Sequence, residues 1–158
     1  MRGLPYDATV HVRDHCLCLH AQRAARVLAR RFDEAFRRLG LTSGQFSLLM
    51  SLNRPDPPGL GSVAALLAMD RTTVTAALKP LERRRLVVVA VDREDRRGRR
   101  LMLTAAGRTL LARALPVWRR VHADLDELVE DGDTDRLRKD LRALSSGQGQ
   151  GRPASRSS

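Results

Sequence analysis

The chain has 158 residues, enough for one domain with or without a pairing extension around a real core. Its formal net charge of +11, from 29 lysine plus arginine against 18 aspartate plus glutamate, is carried almost wholly by arginine and points to a polyanionic partner. No apolar run approaches the roughly 20 residues of a membrane span and no secretory leader opens the chain, so a cytoplasmic protein without a membrane partner is expected, and aromatic residues at 3% argue against stacking on single strands.

Residues 1–13, MRGLPYDATVHVR, contain Gly3 and Pro5 and show no helical period, and are read as an extended arm. From Asp14, a potential N-cap, Leu17, Ala21, Ala24, Leu28, Phe32, Ala35 and Leu39 recur at three and four. Arg23, Arg26, Arg30, Arg37 and Arg38 take the other face, and Gly40 is a left-handed stop. A helix of about 25 residues would span about 37 Å, longer than a compact wing domain needs. Residues 14–40 are therefore expected to pair with a second subunit.

Thr42 and Ser43 can cap a second helix, in which Phe46, Leu49 and Met50 share a face, and Pro55, Pro57, Pro58 and Gly59 end it. Leu60-Gly61 reads as a short strand before Ser62, which can cap a third helix from Val63 to Met69. Ala68-Met69-Asp70 then forms a tight turn into a fourth helix, the arrangement a helix-turn-helix needs. Val74, Leu78 and Leu81 point inward there and leave Arg71, Thr72, Thr73, Thr75, Ala76 and Lys79 wholly or partly outward. Such a small, hydrogen-bonding face suits a helix that reads the major groove, whereas a merely solvated face is more often glutamate and lysine. Pro80 removes the bond to the Ala76 carbonyl, so a bend or loosening is expected.

Val87 to Val91 and Arg99 to Leu103 are strand-like runs on either side of a charged loop containing Gly98, and together make a hairpin. An arginine at its tip would reach the minor groove, where negative potential concentrates. Leu60 to Thr104 holds ten basic and five acidic residues, an excess that a solvated hairpin does not require. Thr104 can cap a fifth helix striped by Leu110, Leu111, Ala114, Leu115, Trp118, Val121, Leu125 and Leu128 and kinked at Pro116. After Gly132 a last helix lines up Leu137, Leu141 and Leu144. The small wing domain cannot cover either stripe, so residues 105–144 are expected to join 14–40 in an intersubunit bundle around the 41–104 DNA-binding domain. Residues 145–158, SSGQGQGRPASRSS, are low-complexity and read as a disordered tail.

The helix-turn-helix, then LERRRLV, then DREDRRGRRLMLT resembles the MarR family of winged-helix transcription regulators over roughly residues 14 to 130. Asp95 and Arg97 match the family's Asp-x-Arg wing, and Leu103-Thr104 its ending. The resemblance implies a homodimer in which Arg97 enters the minor groove, Asp95 orients it, and the helix from Arg71 reads the major groove, with Arg99 beside the wing tip. It also implies a ligand cleft between bundle and wing domain, for which Leu17, Phe46 and Trp118 are candidate walls. Arg85 stands where the family usually has glycine, so the recognition helix is expected to close differently.

His15, Cys16, Cys18 and His20 invite a metal reading. On one helix, however, Cys16 and Cys18 sit about 200° apart and cannot share a site, so no metal and no cofactor is expected. Within the family, the branch that senses organic hydroperoxides carries a reactive cysteine in a context similar to Leu17-Cys18-Leu19, which makes Cys18, with Cys16 beside it, a candidate redox residue. Gln22, Ser43 and Phe46 stand where that branch has tyrosines. No paired carboxylates in an apolar setting, phosphate loop or nucleophile motif supports an enzyme.

The expected fold is mainly α with a small β wing, a winged helix-turn-helix whose N- and C-terminal helices form a dimerisation bundle. The expected function is sequence-specific regulation of transcription, as a repressor, by a homodimer on a pseudo-palindromic operator in double-stranded DNA, with release by a small-molecule effector or thiol oxidation. A non-specific architectural DNA-binding protein and a peroxide sensor using Cys18 are the alternatives.

Overall fold

A computed structural model describes residues 3–92, 98–129 and 132–146. Helix α1 (Tyr6–His15) is followed by α2 (Leu17–Phe36) and a 3-10 turn (Arg37–Leu39). Helices α3 (Ser43–Leu52), α4 (Leu60–Leu66) and α5 (Arg71–Arg83) lead into the antiparallel strands β1 (Val87–Val91) and β2 (Arg99–Leu103). Helices α6 (Ala105–Asp126) and α7 (Thr134–Ser145) follow. The architecture is a winged helix-turn-helix flanked by N- and C-terminal helices. No helix among the described residues is long and apolar enough to cross a membrane.

The N-terminus departs from the sequence reading. From Tyr6 onward the expected extended arm is the helix α1, with Pro5 at its N-cap (φ −62°, ψ 146°), Asp7 in its first turn and Arg13 and His15 in its last. That order of charges favours the helix dipole, while the apolar residues are too sparse for a period to register. At Cys16 the backbone becomes extended (φ −76°, ψ 104°), separating α1 from α2. Cys16, not Asp14, is the N-cap of α2: its Sγ accepts from the Leu19 amide at 3.4 Å. Asp14 instead pairs with Arg13, Nε to Oδ1 at 2.6 Å.

Three helix ends close by the same pair of backbone bonds. Leu41 N donates to Phe36 O (3.4 Å) and Gly40 N to Arg37 O (3.0 Å); Met69 N to Ala64 O (2.9 Å) and Ala68 N to Ala65 O (3.2 Å); Leu86 N to Leu81 O (2.9 Å) and Arg85 N to Glu82 O (2.8 Å). This is the Schellman closure, with one left-handed residue in each case: Gly40 at φ 62°, Ala68 at φ 51° and Arg85 at φ 55°. Helix α5 therefore ends as a glycine would end it, contrary to the different closure expected at Arg85. It also runs unbroken through Pro80 to Arg83, and α6 likewise runs through Pro116.

Helix α3 begins with a reciprocal cap: Thr42 Oγ1 accepts from Gln45 N and Gln45 Oε1 from Thr42 N, each at 3.2 Å. Asp33 of α2 accepts from Ser43 N at 2.6 Å and ties the two helices together. Phe36, Phe46, Leu49, Val74, Leu81 and Leu101 anchor one core shared by α2, α3, α5 and the wing, with the Phe36 and Phe46 rings 4.8 Å apart. In the sheet Val87 pairs with Leu103 and Val89 with Leu101. The strand expected at Leu60-Gly61 is one residue earlier and shorter. Gly59 bridges Arg100, Leu101 N donates to Pro58 O (3.0 Å), and α4 already starts at Leu60. Ser62 does not cap α4; its hydroxyl donates to Gly59 O at 2.9 Å.

Helices α1 and α7 bury no residue. Leu137 and Leu141 of α7 are nearly half exposed, and Arg138 holds α7 to α6 through Asp126, at 2.7 Å.

Candidate nucleic-acid interface

Helix α5 owes its position to a buried side and a capped start. Val74 is fully buried and, with Leu78 and Leu81, locks one side into the core. Asp70 starts the helix, accepting from the Thr73 amide and hydroxyl, both at 2.7 Å. These hydrogen bonds hold the Asp70 carboxyl below its ordinary range.

The remaining face is open. Arg71, Thr72, Thr73, Thr75, Ala76 and Lys79 are all exposed, and five of them, all but Thr73, border one shallow concavity of about 280 Å³. Two of the threonines have committed their protons: Thr73 donates to Asp70, and Thr75 donates to the Arg71 carbonyl at 2.7 Å. They can offer bases a lone pair or a methyl group but not that proton, whereas Thr72, Arg71 and Lys79 remain the donors. The Arg71 side chain lies over α4 at Gly61, where an added Cβ would sit 3.0 Å from its Nη2.

At the wing, Arg99 is exposed, with Nη1 donating to the Gly98 carbonyl at 3.0 Å. Asp95 and Arg97 fall in 93–97, outside the described residues. Sequence reasoning missed the base of the wing. Arg100 Nε donates to Asp92 Oδ2 at 2.7 Å and Nη1 to the Pro57 carbonyl at 3.2 Å, so one side chain joins both strands' ends to the loop before α4. A carboxylate eight positions before an arginine across a hairpin was the available signal. Arg84 was missed as well: its Nη1 donates to the Gly40 carbonyl at 2.6 Å, fastening the end of α5 to the turn after α2.

The cysteine and histidine cluster is engaged locally. His15 Nδ1 lies 2.9 Å from the His11 carbonyl, His20 Nε2 3.1 Å from the Asp14 carbonyl, and Gln22 Nε2 donates to Cys18 Sγ at 3.2 Å. Cys18 is exposed and Cys16 half-buried.

Of the candidate walls of a ligand cleft, Phe46 and Trp118 do border a common cavity of about 350 Å³ between α3, α4 and α6. Leu17 does not: it is 70% exposed at the start of α2. Beside this cavity the Trp118 and His122 rings are 4.1 Å apart, and Phe32 stands 5.3 Å from His122. Partial burial holds the His122 imidazole below its usual value; the Arg138 charge acts the same way and Asp126 opposes it.

A model of the MarR family matches residues 41–98. In the solved structure of the M. tuberculosis transcriptional regulator MosR in complex with DNA, the similar chain is 38% identical. That alignment covers 83% of this chain and 94% of MosR, with a TM-score of 0.76. The transcriptional repressor CouR bound to a 23-mer DNA duplex is 30% identical, with 91% of this chain and 99% of CouR covered and a TM-score of 0.75. The transcriptional activatory protein BadR of Rhodopseudomonas palustris is 32% identical over 89 residues, 54% of this chain, and the match spans about half (51%) of that relative's length. Near-complete coverage of regulators above the identity at which fold alone is shared, together with the matched helix-turn-helix, establishes that the chain belongs to the MarR family.

Proposed function

We propose that the protein is a sequence-specific regulator of transcription that binds a pseudo-palindromic operator as a homodimer and acts as a repressor. The observation that carries this reading is the split character of α5. One side is locked into the core by Val74, Leu78 and Leu81, and the other presents Arg71, Thr72, Thr75, Ala76 and Lys79 together. Two such helices held about one DNA turn, roughly 34 Å, apart would enter successive major grooves while Arg97 of each wing reaches the flanking minor groove. Homodimerisation is supported by the uncovered apolar residues of α1, α2 and α7, among them Val12, Val27, Leu137 and Leu141, which the single chain leaves in water. Effector control is supported by the cavity bordered by Phe46 and Trp118, which lies where α6 meets the helix-turn-helix. An occupant there would shift the two recognition helices relative to each other.

Selection of duplexes from a random pool tests the reading. An inverted repeat with half-sites one turn apart supports it, and recovery without sequence preference would make the protein an architectural DNA coat instead. A reporter placed behind the selected operator then distinguishes repression, expected here, from activation.

A second release route has one observation in its favour: the Cys18 thiol is exposed and accepts a hydrogen bond from Gln22. A hydroperoxide would convert it to a sulfenic acid and leave as the alcohol. Cys18→Ser should bind DNA normally and abolish peroxide-induced release. If peroxide does not release the unaltered protein, this route is absent.

A further inference from the structure

Helix α1 puts two histidines on one face. His11 and His15 are one turn apart, about 40° around the helix axis and about 6 Å along it, and their rings stack with centroids 4.2 Å apart. Both side chains are exposed. The sequence reading groups His15 with Cys16, Cys18 and His20, but the break at Cys16 assigns Cys18 and His20 to α2 and leaves His15 paired with His11 instead.

One of the two rings is already oriented. A carbonyl can only accept, so the His15 Nδ1 that lies 2.9 Å from the His11 carbonyl carries the hydrogen, and in the neutral ring Nε2 keeps its lone pair. Metal-ligating histidines are commonly fixed in this way, the other ring nitrogen donating to a carbonyl or carboxylate. His20 is held the other way round, its Nε2 lying 3.1 Å from the Asp14 carbonyl. Two imidazole nitrogens about 2.0–2.1 Å from one ion and at right angles around it stand about 3 Å apart. A small rotation of the stacked rings reaches that separation.

We propose that His11 and His15 chelate one imidazole-seeking divalent transition metal, of the nickel(II) and copper(II) class, with water in its other positions. Among the described residues no third histidine, cysteine or carboxylate joins the pair, so the site is open and its ion exchangeable. The chelate spans one turn of a helix that buries no residue. A helix of 10 residues is marginal by itself, so the metal supplies an ordering that packing in the single chain does not. This site rests on α1 alone and is independent of the regulator reading.

Calorimetric titration of the full chain with nickel(II) chloride at about pH 8, where an ordinary imidazole is neutral, tests the site. Nickel is the probe because copper(II) oxidises thiols. One ion per chain is expected to bind. His11→Asn and His15→Asn should each weaken that binding at least about tenfold. Val12→Pro keeps both imidazoles but breaks the turn between them, and should weaken it as much. His20→Asn, and Cys16→Ser combined with Cys18→Ser, should leave it unchanged. Failure of the unaltered chain to bind overturns the assignment, as does binding that survives His11→Asn or is lost with His20 or the cysteines. Binding that survives Val12→Pro overturns the helical chelate.

Discussion

Gly107, in the first turn of α6, lies directly against the carbonyl oxygen of Leu86, the residue that joins α5 to the wing. A methyl group at Gly107 would overlap that oxygen and touch Leu103 Cδ2 at 3.3 Å. The oxygen has no freedom to withdraw, because it accepts from Thr104 N at 3.0 Å and Thr104 Oγ1 at 3.2 Å. Gly107→Ala should therefore destabilise the fold by about 2 kcal/mol or more. Gly44→Ala, in α3 with open space around it, should instead stabilise by about 0.5 to 1 kcal/mol. Denaturant titration of the two variants measures both, and equal stabilities would refute the close contact.

Arg85 occupies the left-handed position of a closure that glycine fills most easily. Arg85→Gly removes about 1 to 2 kcal/mol of backbone strain and returns part of it as added freedom of the unfolded chain, so a net gain of about 0.5 to 1 kcal/mol is expected. A lower denaturation midpoint would show that the arginine side chain contributes more than its backbone costs.

On DNA, Arg71→Ala and Lys79→Ala should each weaken binding and lower the slope of log affinity against log salt by about one, if these side chains contact phosphate. Thr72→Ala should instead alter which base pairs are selected. Arg97→Ala should reduce affinity for the selected operator at least about tenfold while the protein stays folded. Unchanged affinity in Arg97→Ala would remove the wing from the proposed interface.

The lowered imidazole value of His122 has a definite consequence for pH dependence. The folded chain holds His122 neutral, so below the ordinary value of 6.5 the unfolded chain takes up the proton more readily, and stability should fall as pH drops until the folded imidazole also titrates. His122→Phe preserves the ring contacts with Trp118 and Phe32 and should flatten stability between pH 6.5 and the folded value. Asp70 acts in a separate window: its lowered carboxyl contributes stability above the ordinary value of 3.8 that is lost as pH falls through the folded value.

Removing residues 1–16 together with everything after 131 deletes the two helices that bury nothing in the single chain. The remainder should elute as a monomer from a sizing column; a persistent dimer would locate the pairing surface elsewhere.

The recognition helix was legible because each face carries its own residue type at the helical period: Val74, Leu78 and Leu81 inside, Arg71 to Lys79 outside. The wing strands were legible from their β-branched run and charged loop. Helix α1 was not, because its apolar residues are too few to mark a stripe, whereas α7, which buries nothing either, still carries Leu137, Leu141 and Leu144 in line. The closure at Arg85 was misread because backbone bonds from Arg85 and Leu86 decide it, and residue type only biases it. The approach of Gly107 to Leu86 arises from long-range packing that no local pattern announces. Of the proposed DNA contacts, the α5 residues and Arg99 are placed by the fold, while Asp95 and Arg97 lie outside the described residues.

Arg100 makes the wing and the helix pair one piece. With its side chain fixed to Asp92 and Pro57, and Leu101 N bonded to Pro58 O, the hairpin cannot swing without dragging the loop that leads into α4. Each half of the proposed dimer would then act as a fixed caliper, its jaws being α5 and the wing, while the gap between the two calipers is set by the helices that join them. One base pair inserted inside a half-site should therefore cost far more affinity than one inserted at the operator's centre, where the joint can yield.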